Sequence, residues 1–363
     1  MKLRSGSKLG VLTSGGDAPG MNAAVRAVLR VGLELGFEVL AVEDGFSGLL
    51  EGRVKRIDLR ALDEAARRGG TLLGTARSKI FATPEGQKKA REVIAANAFA
   101  ALIVIGGNGS LTGAHALLGA ETPQGTLRVA GLPASIDNDL ACTSMSIGVD
   151  TAMNTVVEAC DRIFDTAAAH KRTFLVEVMG RDCGYLAMTA GVAAGADVVL
   201  VPEVGKGEGE IVEQVLAAMD RAYGKGSDKH RVLVIKSEGV KVDITRIKEL
   251  VEVRASKLYP GVDTRITVLG HVVRGGAPTA FDRLLGARLA NAAVRALADG
   301  ETDFMAGWVG PGIVAKACAY DPYVVLSPLA EVLAETANLM SGESMLAQWR
   351  KRIYQEVEPI LRR

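Results

Sequence analysis

Two aspartates, Asp137 and Asp139, flank Asn138 in the segment Pro133-Ala134-Ser135-Ile136-Asp137-Asn138-Asp139. Carboxylates this close repel one another, so they are costly to cluster unless they hold a metal ion or move a proton. An aspartate-rich turn tied by Asx hydrogen bonds draws on the same residue types. Two glycine-rich segments offer a second kind of chemistry: Thr13 to Asn22, with Gly15, Gly16 and Gly20, and the run Gly106-Gly107-Asn108-Gly109-Ser110. Glycine lets backbone N–H groups approach phosphate oxygens with no Cβ in the way. A helix start attracts an anion through its unpaired N–H groups and its dipole. Pro19 suits a first helical turn, and Ser110 suits a helix cap or a phosphate contact. The spacing matches neither the Walker phosphate loop nor the GxGxxG dinucleotide fingerprint, and one such turn is as easily a plain strand–helix connection. Two of them, each after an apolar run, favour a polyphosphate ligand.

The elements that must position these loops follow from the alternation of short apolar runs with helical periodicity. Strands are expected at 8–12, 38–42, 101–105, 129–132, 172–178, 198–201, 231–237 and 265–269. Helices are expected at 19–36, 59–68, 85–97, 111–118, 148–166, 185–194, 211–223 and 280–298, with mixed helix from Pro328 to Arg363. This alternation implies an α/β fold of two doubly wound, mostly parallel-sheet lobes, with ligands at the carboxyl ends of strands. The division expected is 1–145 as a phosphate-donor lobe with part of the C-terminal segment, 146–310 as a second lobe, and 311–363 packing back on the lobes.

Composition narrows the partners. Forty-three basic residues stand against 42 acidic ones, a formal charge of +1 with no basic block, which argues against nucleic acid. Hydrophobic residues make up 48% and aromatics 4%, so aliphatic side chains must fill the core. The cysteines Cys142, Cys160, Cys183 and Cys318 form no CxxC pair and read as reduced thiols. The basic stretch from Met1 to Lys8 leads into a strand that breaks at Gly15-Gly16, which is not a signal peptide. No run reaches the ~18 apolar residues of a membrane span, and the expected compartment is the cytoplasm.

The strings GVLTSGGDAPGMNAA, IGGNGSLTGA, SIDND, VEVMGRDCGY and GHVVRGG, in this order and spacing, resemble the phosphofructokinase family over about residues 8–290. The resemblance implies ATP-dependent transfer of a phosphoryl group to the 1-hydroxyl of fructose 6-phosphate, with Mg²⁺. Asp137 then takes the hydroxyl proton, Asp139 supports the site and the metal, and Arg181 lies near the transferred group. Gly16, Arg77, Ser78, Gly107, Asn108, Gly109 and Ser110 match the donor site, with Asn108 at the metal position. Ser135, Met179, Gly180, Arg181, Glu238, His271 and Arg274 match the sugar-phosphate site, as do Arg172 and Arg265. In the family these last two come from a neighbouring subunit, which implies a homotetramer with sites at subunit interfaces. Arg26, Arg30, Arg53 and Lys229 match effector positions, although Phe164 and Asp197 depart from that pattern.

Three departures bear on the donor. Asn108 stands where the family carries Asp, removing a charge that hard cations prefer. Ser78 stands where an aromatic often meets adenine, with Phe46 a candidate substitute. Pyrophosphate-using members carry Asp where Gly109 stands and Lys where Ala134 stands, so small residues at both favour ATP. The alternatives are a pyrophosphate-dependent enzyme and, because of Asn108, a non-catalytic subunit that senses sugar phosphates. A lipid or NAD kinase shares a related glycine loop but has no SIDND or MGR string.

Overall fold

A computed structural model describes residues 2–227, 229–310 and 317–361. The elements in chain order are β1 (Lys8–Ser14), α1 (Met21–Glu34), β2 (Glu38–Val42), α2 (Gly45–Glu51), β3 (Val54–Arg56), α3 (Leu59–Ala65), α4 (Pro84–Ala96), β4 (Phe99–Gly106), α5 (Asn108–His115), β5 (Glu121–Thr122), β6 (Gly125–Thr126) and β7 (Arg128–Pro133). They continue with α6 (Val149–His170), β8 (Arg172–Val178), α7 (Tyr185–Ala193), β9 (Val198–Leu200), α8 (Glu208–Tyr223), β10 (Val232–Ser237), α9 (Ile244–Leu258) and β11 (Asp263–Val268). The last are α10 (Ala280–Asp299), β12 (Phe304–Trp308), β13 (Ala317–Cys318), β14 (Asp321–Pro328), α11 (Leu329–Ser341) and α12 (Met345–Leu361).

The chain forms two compact units. The first takes Met1–Ile136, Leu140–Thr151 and Arg274–Asn338; the second takes Asp137–Asp139, Ala152–Val273 and Leu339–Arg363. Residues 311–316 and 362–363 of the expected C-terminal segment lie outside the described residues.

The sheet of the first unit has the order β13-β14-β12-β7-β4-β1-β2-β3. Its inner strands β12, β7, β4, β1 and β2 pair in parallel, while β3, β14 and β13 add antiparallel edges. All eight residues of β4 are buried, because helices cover a parallel sheet on both faces. Phe99, Leu102, Phe46, Leu111 and Leu329 share one core there, each contributing about 1.5–3 kcal/mol by leaving water. Strand β1 has β2 on one side and β4 on the other, so the chain reverses its winding direction between β1 and β4. That crevice is where doubly wound sheets bind ligands.

The second unit holds a four-stranded, all-parallel sheet in the order β11-β8-β10-β9. Leu175, Val198, Ile211, Val215 and Val234 form its core. Helix α9 and strands β12 to β14 were not among the expected elements. For α9 the pattern was there to read: Ile244, Ile247, Val251 and Ala255 are its buried stripe, and the Asp243 side chain caps it by accepting from Thr245 N. Strand β12 is short and interrupted by Gly307, so nothing but its tertiary pairing with β7 and β14 marks it. Among the described residues no helix is long and apolar enough to cross a membrane.

Candidate functional site

In the first unit, three strands end at one level. Ser14 of β1 pairs with Gly106 of β4, and Gly106 pairs with Pro133 of β7. Neighbouring strands lie about 4.8 Å apart, so the loops carrying Gly16, Gly107 and Ser135 leave the sheet side by side. Helix α5 starts at Asn108, three residues earlier than expected, which makes Asn108, Gly109 and Ser110 its first turn. Its cap residue, Gly107, has no side chain to satisfy the leading N–H groups, and an anion is their natural partner. Ser110 does not cap the helix; it is 3% exposed, its hydroxyl packed against Gly15 and Gly106. Helix α1, by contrast, starts later than expected, at Met21, because its cap residue Gly20 has φ 105°; Pro19 lies in the turn before it.

The segment that carries Arg77 and Ser78 is laced to the first glycine loop. Thr13 Oγ1 donates to Gly74 O at 2.8 Å, and Thr75 Oγ1 donates to Gly15 O at 2.7 Å. Asn22 Oδ1 accepts from Leu72 N at 2.7 Å. Arg77 itself is exposed, and Ser78 Oγ accepts from Phe81 N at 3.2 Å. Phe46 does not serve an adenine: it is 4% exposed in the core, stacked on Phe81 with ring centroids 4.0 Å apart. An added Cβ at Gly109 would meet no heavy atom within 4 Å, so the space beside the α5 start is open.

Arg274 belongs to this unit as well. Its Nη1 donates to Asp17 O at 3.1 Å. A Cβ on Gly16 would stand 2.7 Å from that nitrogen, so glycine there keeps the Arg274 guanidinium in place. Below the loops, the fully buried Asp282 accepts from Gly148 N and Thr151 N, both at 2.8 Å, and from Thr151 Oγ1 at 2.6 Å. It thereby caps α6. Burial pushes its carboxyl above the usual range, against the pull of those three hydrogen bonds.

In the second unit, β8, β10 and β11 also end together. Ser237 pairs with Val178, and Val268 pairs with Glu177. Met179-Gly180-Arg181, Glu238 and His271 therefore follow the same sheet edge. Gly180 takes φ 126°, which an L side chain rarely adopts, and its carbonyl accepts from Ser237 Oγ and from Gly239 N, the latter at 3.2 Å. Met179 is 8% exposed; Arg181, Glu238 and His271 are exposed.

Arg172 and Arg265 are not part of that group. Arg172 opens β8 six residues before Val178, about 20 Å back along the strand, and Arg265 pairs with Phe174, about 13 Å back. Both point at Asp263, which lies 2.6 Å from Arg265 and 3.7 Å from Arg172. Asp137, Asn138 and Asp139 cluster with this unit; Asn138 is fully buried with φ 50°, and its carbonyl accepts from Arg350 Nη2 of α12 at 3.0 Å. Arg350 was not foreseen: one arginine in a polar helix gives no signal in the sequence.

The effector-type cations each hold a carboxylate: Arg26 and Arg30 on Asp63, Arg53 on Asp44, and Lys229 on Asp197. Arg231 lies over the Phe164 ring at 4.1 Å. His115 bonds Asp303 at 2.8 Å, and His170 Nδ1 lies 3.2 Å from Thr166 O of its own helix.

Against known proteins, residues 8–297 match the family model described as Phosphofructokinase. The ATP-dependent 6-phosphofructokinase of Natranaerobius thermophilus is 48% identical over 300 residues, which are 83% of this chain and 89% of that protein. The enzyme of the same name from Thermotoga neapolitana is 44% identical over 334 residues, 92% of this chain and 99% of that one. Among solved structures, phosphofructokinase from Saccharomyces cerevisiae superposes with a TM-score of 0.82 at 34% identity, covering 93% of this chain. This chain spans 46% of the yeast chain.

Proposed function

The chain belongs to the phosphofructokinase family, and from that premise we propose that it transfers the terminal phosphoryl group of ATP to the 1-hydroxyl of fructose 6-phosphate, a step of glycolysis carried out in the cytoplasm. One observation carries the reading beyond family membership. Two glycine loops, at Gly15-Gly16 and at Gly107 to Ser110, leave adjacent parallel strands at one level, on either side of the point where the winding reverses. A plain turn at either place needs no partner beside it; a chain of phosphates needs both.

Each side chain then has a role. Asp137 accepts the proton of the attacking hydroxyl, and Asp139 steadies the site beside it. Arg77 and Arg181, both exposed, offset the charge that builds on the phosphoryl oxygens. The start of α5 receives donor phosphate on its leading N–H groups, and Gly16 and Ser78 line the donor. Ser135, Met179 and Gly180 border the acceptor, and Glu238 binds sugar hydroxyls. His271 and Arg274 hold the 6-phosphate together with Arg172 and Arg265. Arg172 on β8 and Arg265 on β11 lie far back along the sheet from Met179, which supports their serving a neighbouring copy in a homotetramer.

Mg²⁺ that arrives on donor phosphates needs only one or two protein oxygens. Among the described residues no three His, Cys, Asp or Glu side chains gather into a metal cage, and the half-exposed Asn108, first residue of α5, fits a single neutral ligand. When bound, the cation would screen the phosphate charge. The open space at Gly109 supports ATP as donor over pyrophosphate. The experiment is turnover of fructose 6-phosphate with Mg²⁺, run with ATP and with pyrophosphate. Activity with ATP alone is expected. Activity with pyrophosphate alone would reassign the donor, and silence with both, despite bound fructose 6-phosphate, would make the chain a sensing subunit.

A further inference from the structure

Arg350 is a charged side chain that is only 8% exposed. A buried guanidinium is costly unless its donors are used. Its donors are used on two segments: Nη2 donates to Asn138 O at 3.0 Å, and Nη1 to Cys183 Sγ at 3.3 Å. The guanidinium also lies over the Tyr185 ring at 4.9 Å. Asn138 sits between Asp137 and Asp139, and Cys183 follows Arg181 by two residues. The two segments Arg350 joins are thus those that carry the proposed base and the proposed phosphoryl arginine.

The two segments also touch directly, because the Tyr185 hydroxyl is hydrogen-bonded to the Asn138 side chain. Asn138 occupies the left-handed region at φ 50°, which asparagine enters more readily than most side-chain-bearing residues. Glu203 Oε1 accepts from Gly184 N at 2.7 Å and so fixes one side of the second segment. Helix α12 has its own anchors elsewhere: Tyr354 donates to Val199 O, and Glu358 accepts from Lys206 at 2.9 Å and Gln214 at 2.7 Å. Arg350 is therefore not needed to dock the helix. The helix also lies beyond residues 8–297, the part the family model matches.

We propose that Arg350 is a positioning residue that clamps the Asn138 carbonyl and the Cys183–Tyr185 segment together, setting Asp137, Asp139 and Arg181 in register for transfer. The proposal rests on the phosphotransfer reading above. The test uses the full chain with Arg350→Met, Arg350→Lys and Tyr354→Phe. Met keeps the length and the apolar stem without donors, and Lys keeps the charge but not the fork. Hydrogen exchange at the amides of residues 137–140 reads the clamp without any turnover. Arg350→Met is expected to speed that exchange and to lower kcat roughly 10- to 100-fold, with KM for ATP changed by less than about twofold. Arg350→Lys should recover part of both. Tyr354→Phe removes the hydroxyl's bond to Val199 O of β9 and leaves the Arg350 donors in place, so it should lower Tm while leaving exchange at 137–140 and kcat as they were. Unchanged exchange at 137–140 in folded Arg350→Met overturns the proposal, as does an equal loss of kcat in Tyr354→Phe. A chain that never turns over fructose 6-phosphate counts against the phosphotransfer reading instead, and the exchange comparison still decides the clamp.

Discussion

At the scale of single residues, the roles divide by what a side chain can be replaced with. Asp137→Asn keeps size and hydrogen bonding but removes the basicity, so kcat should fall about 10²- to 10⁴-fold with the melting temperature unchanged. Steady-state rates beside a thermal melt check both halves; near-normal turnover would take the base role from Asp137. Asn108→Asp runs in the opposite direction. It restores the charge that a hard cation prefers, so the Mg²⁺ concentration giving half-maximal rate should drop; a titration in which it stays put would show that Asn108 does not face the metal. Residue types and their order singled out Asp137, Asp139 and the glycine loops as candidates, and the strand ends that carry the two loops do lie at one level. Arg350 was not legible, because its partners are a backbone carbonyl and a thiol far away in sequence, and a carbonyl leaves no mark in residue identity. Phe46 misled for a related reason: an aromatic near a glycine loop reads as a ligand contact until its stacking on Phe81 is seen.

Elements explain why the loops are where they are. Asp282 lies in the first turn of α10 but acts on α6, where three donors converge on its carboxylate. Asp282→Ala would leave buried donors without an acceptor and remove a helix cap. An unfolding free energy lower by about 3 kcal/mol is the expected result, measured by denaturant titration. A loss under about 0.5 kcal/mol would mean that water replaces the carboxylate. The parallel strands were readable from continuous apolar runs, since burial on both faces removes the alternation that edge strands show. Strands β12 and β14 were not, because the short β12, broken by Gly307, and the antiparallel β14 beside it are set by pairing rather than by hydrophobic period. Helix starts shifted by two or three residues for a local reason. Gly20 and Gly107 end their loops in conformations that make them caps, and glycine carries no side chain by which the sequence could announce it.

For the whole molecule, the question is whether one chain holds everything that transfer requires. Arg172 and Arg265 stand about 20 Å and 13 Å back along the second sheet from the strand end that leads to Met179 and Arg181. Arg172 on β8 and Arg265 on the edge strand β11 both gather around Asp263 of β11. An arginine side chain cannot cover the larger of those distances, so if Arg172 binds the 6-phosphate, it binds that of another copy. Arg172→Ala should then raise KM for fructose 6-phosphate far more than it lowers kcat. A mixture separates the two possibilities. Arg172→Ala and Asp137→Ala chains, each poorly active at low substrate, are unfolded together and refolded, then assayed against each alone. If sites are shared across a twofold, a mixed pair contains one site with both residues intact. About a quarter of all sites in an equal mixture should then regain full activity. Separate refolding followed by mixing gives the control, because assembled oligomers exchange chains slowly. Activity equal to the sum of the two parents would show that each chain serves its own substrate, and the placement of Arg172 in the sugar-phosphate site would fall with it.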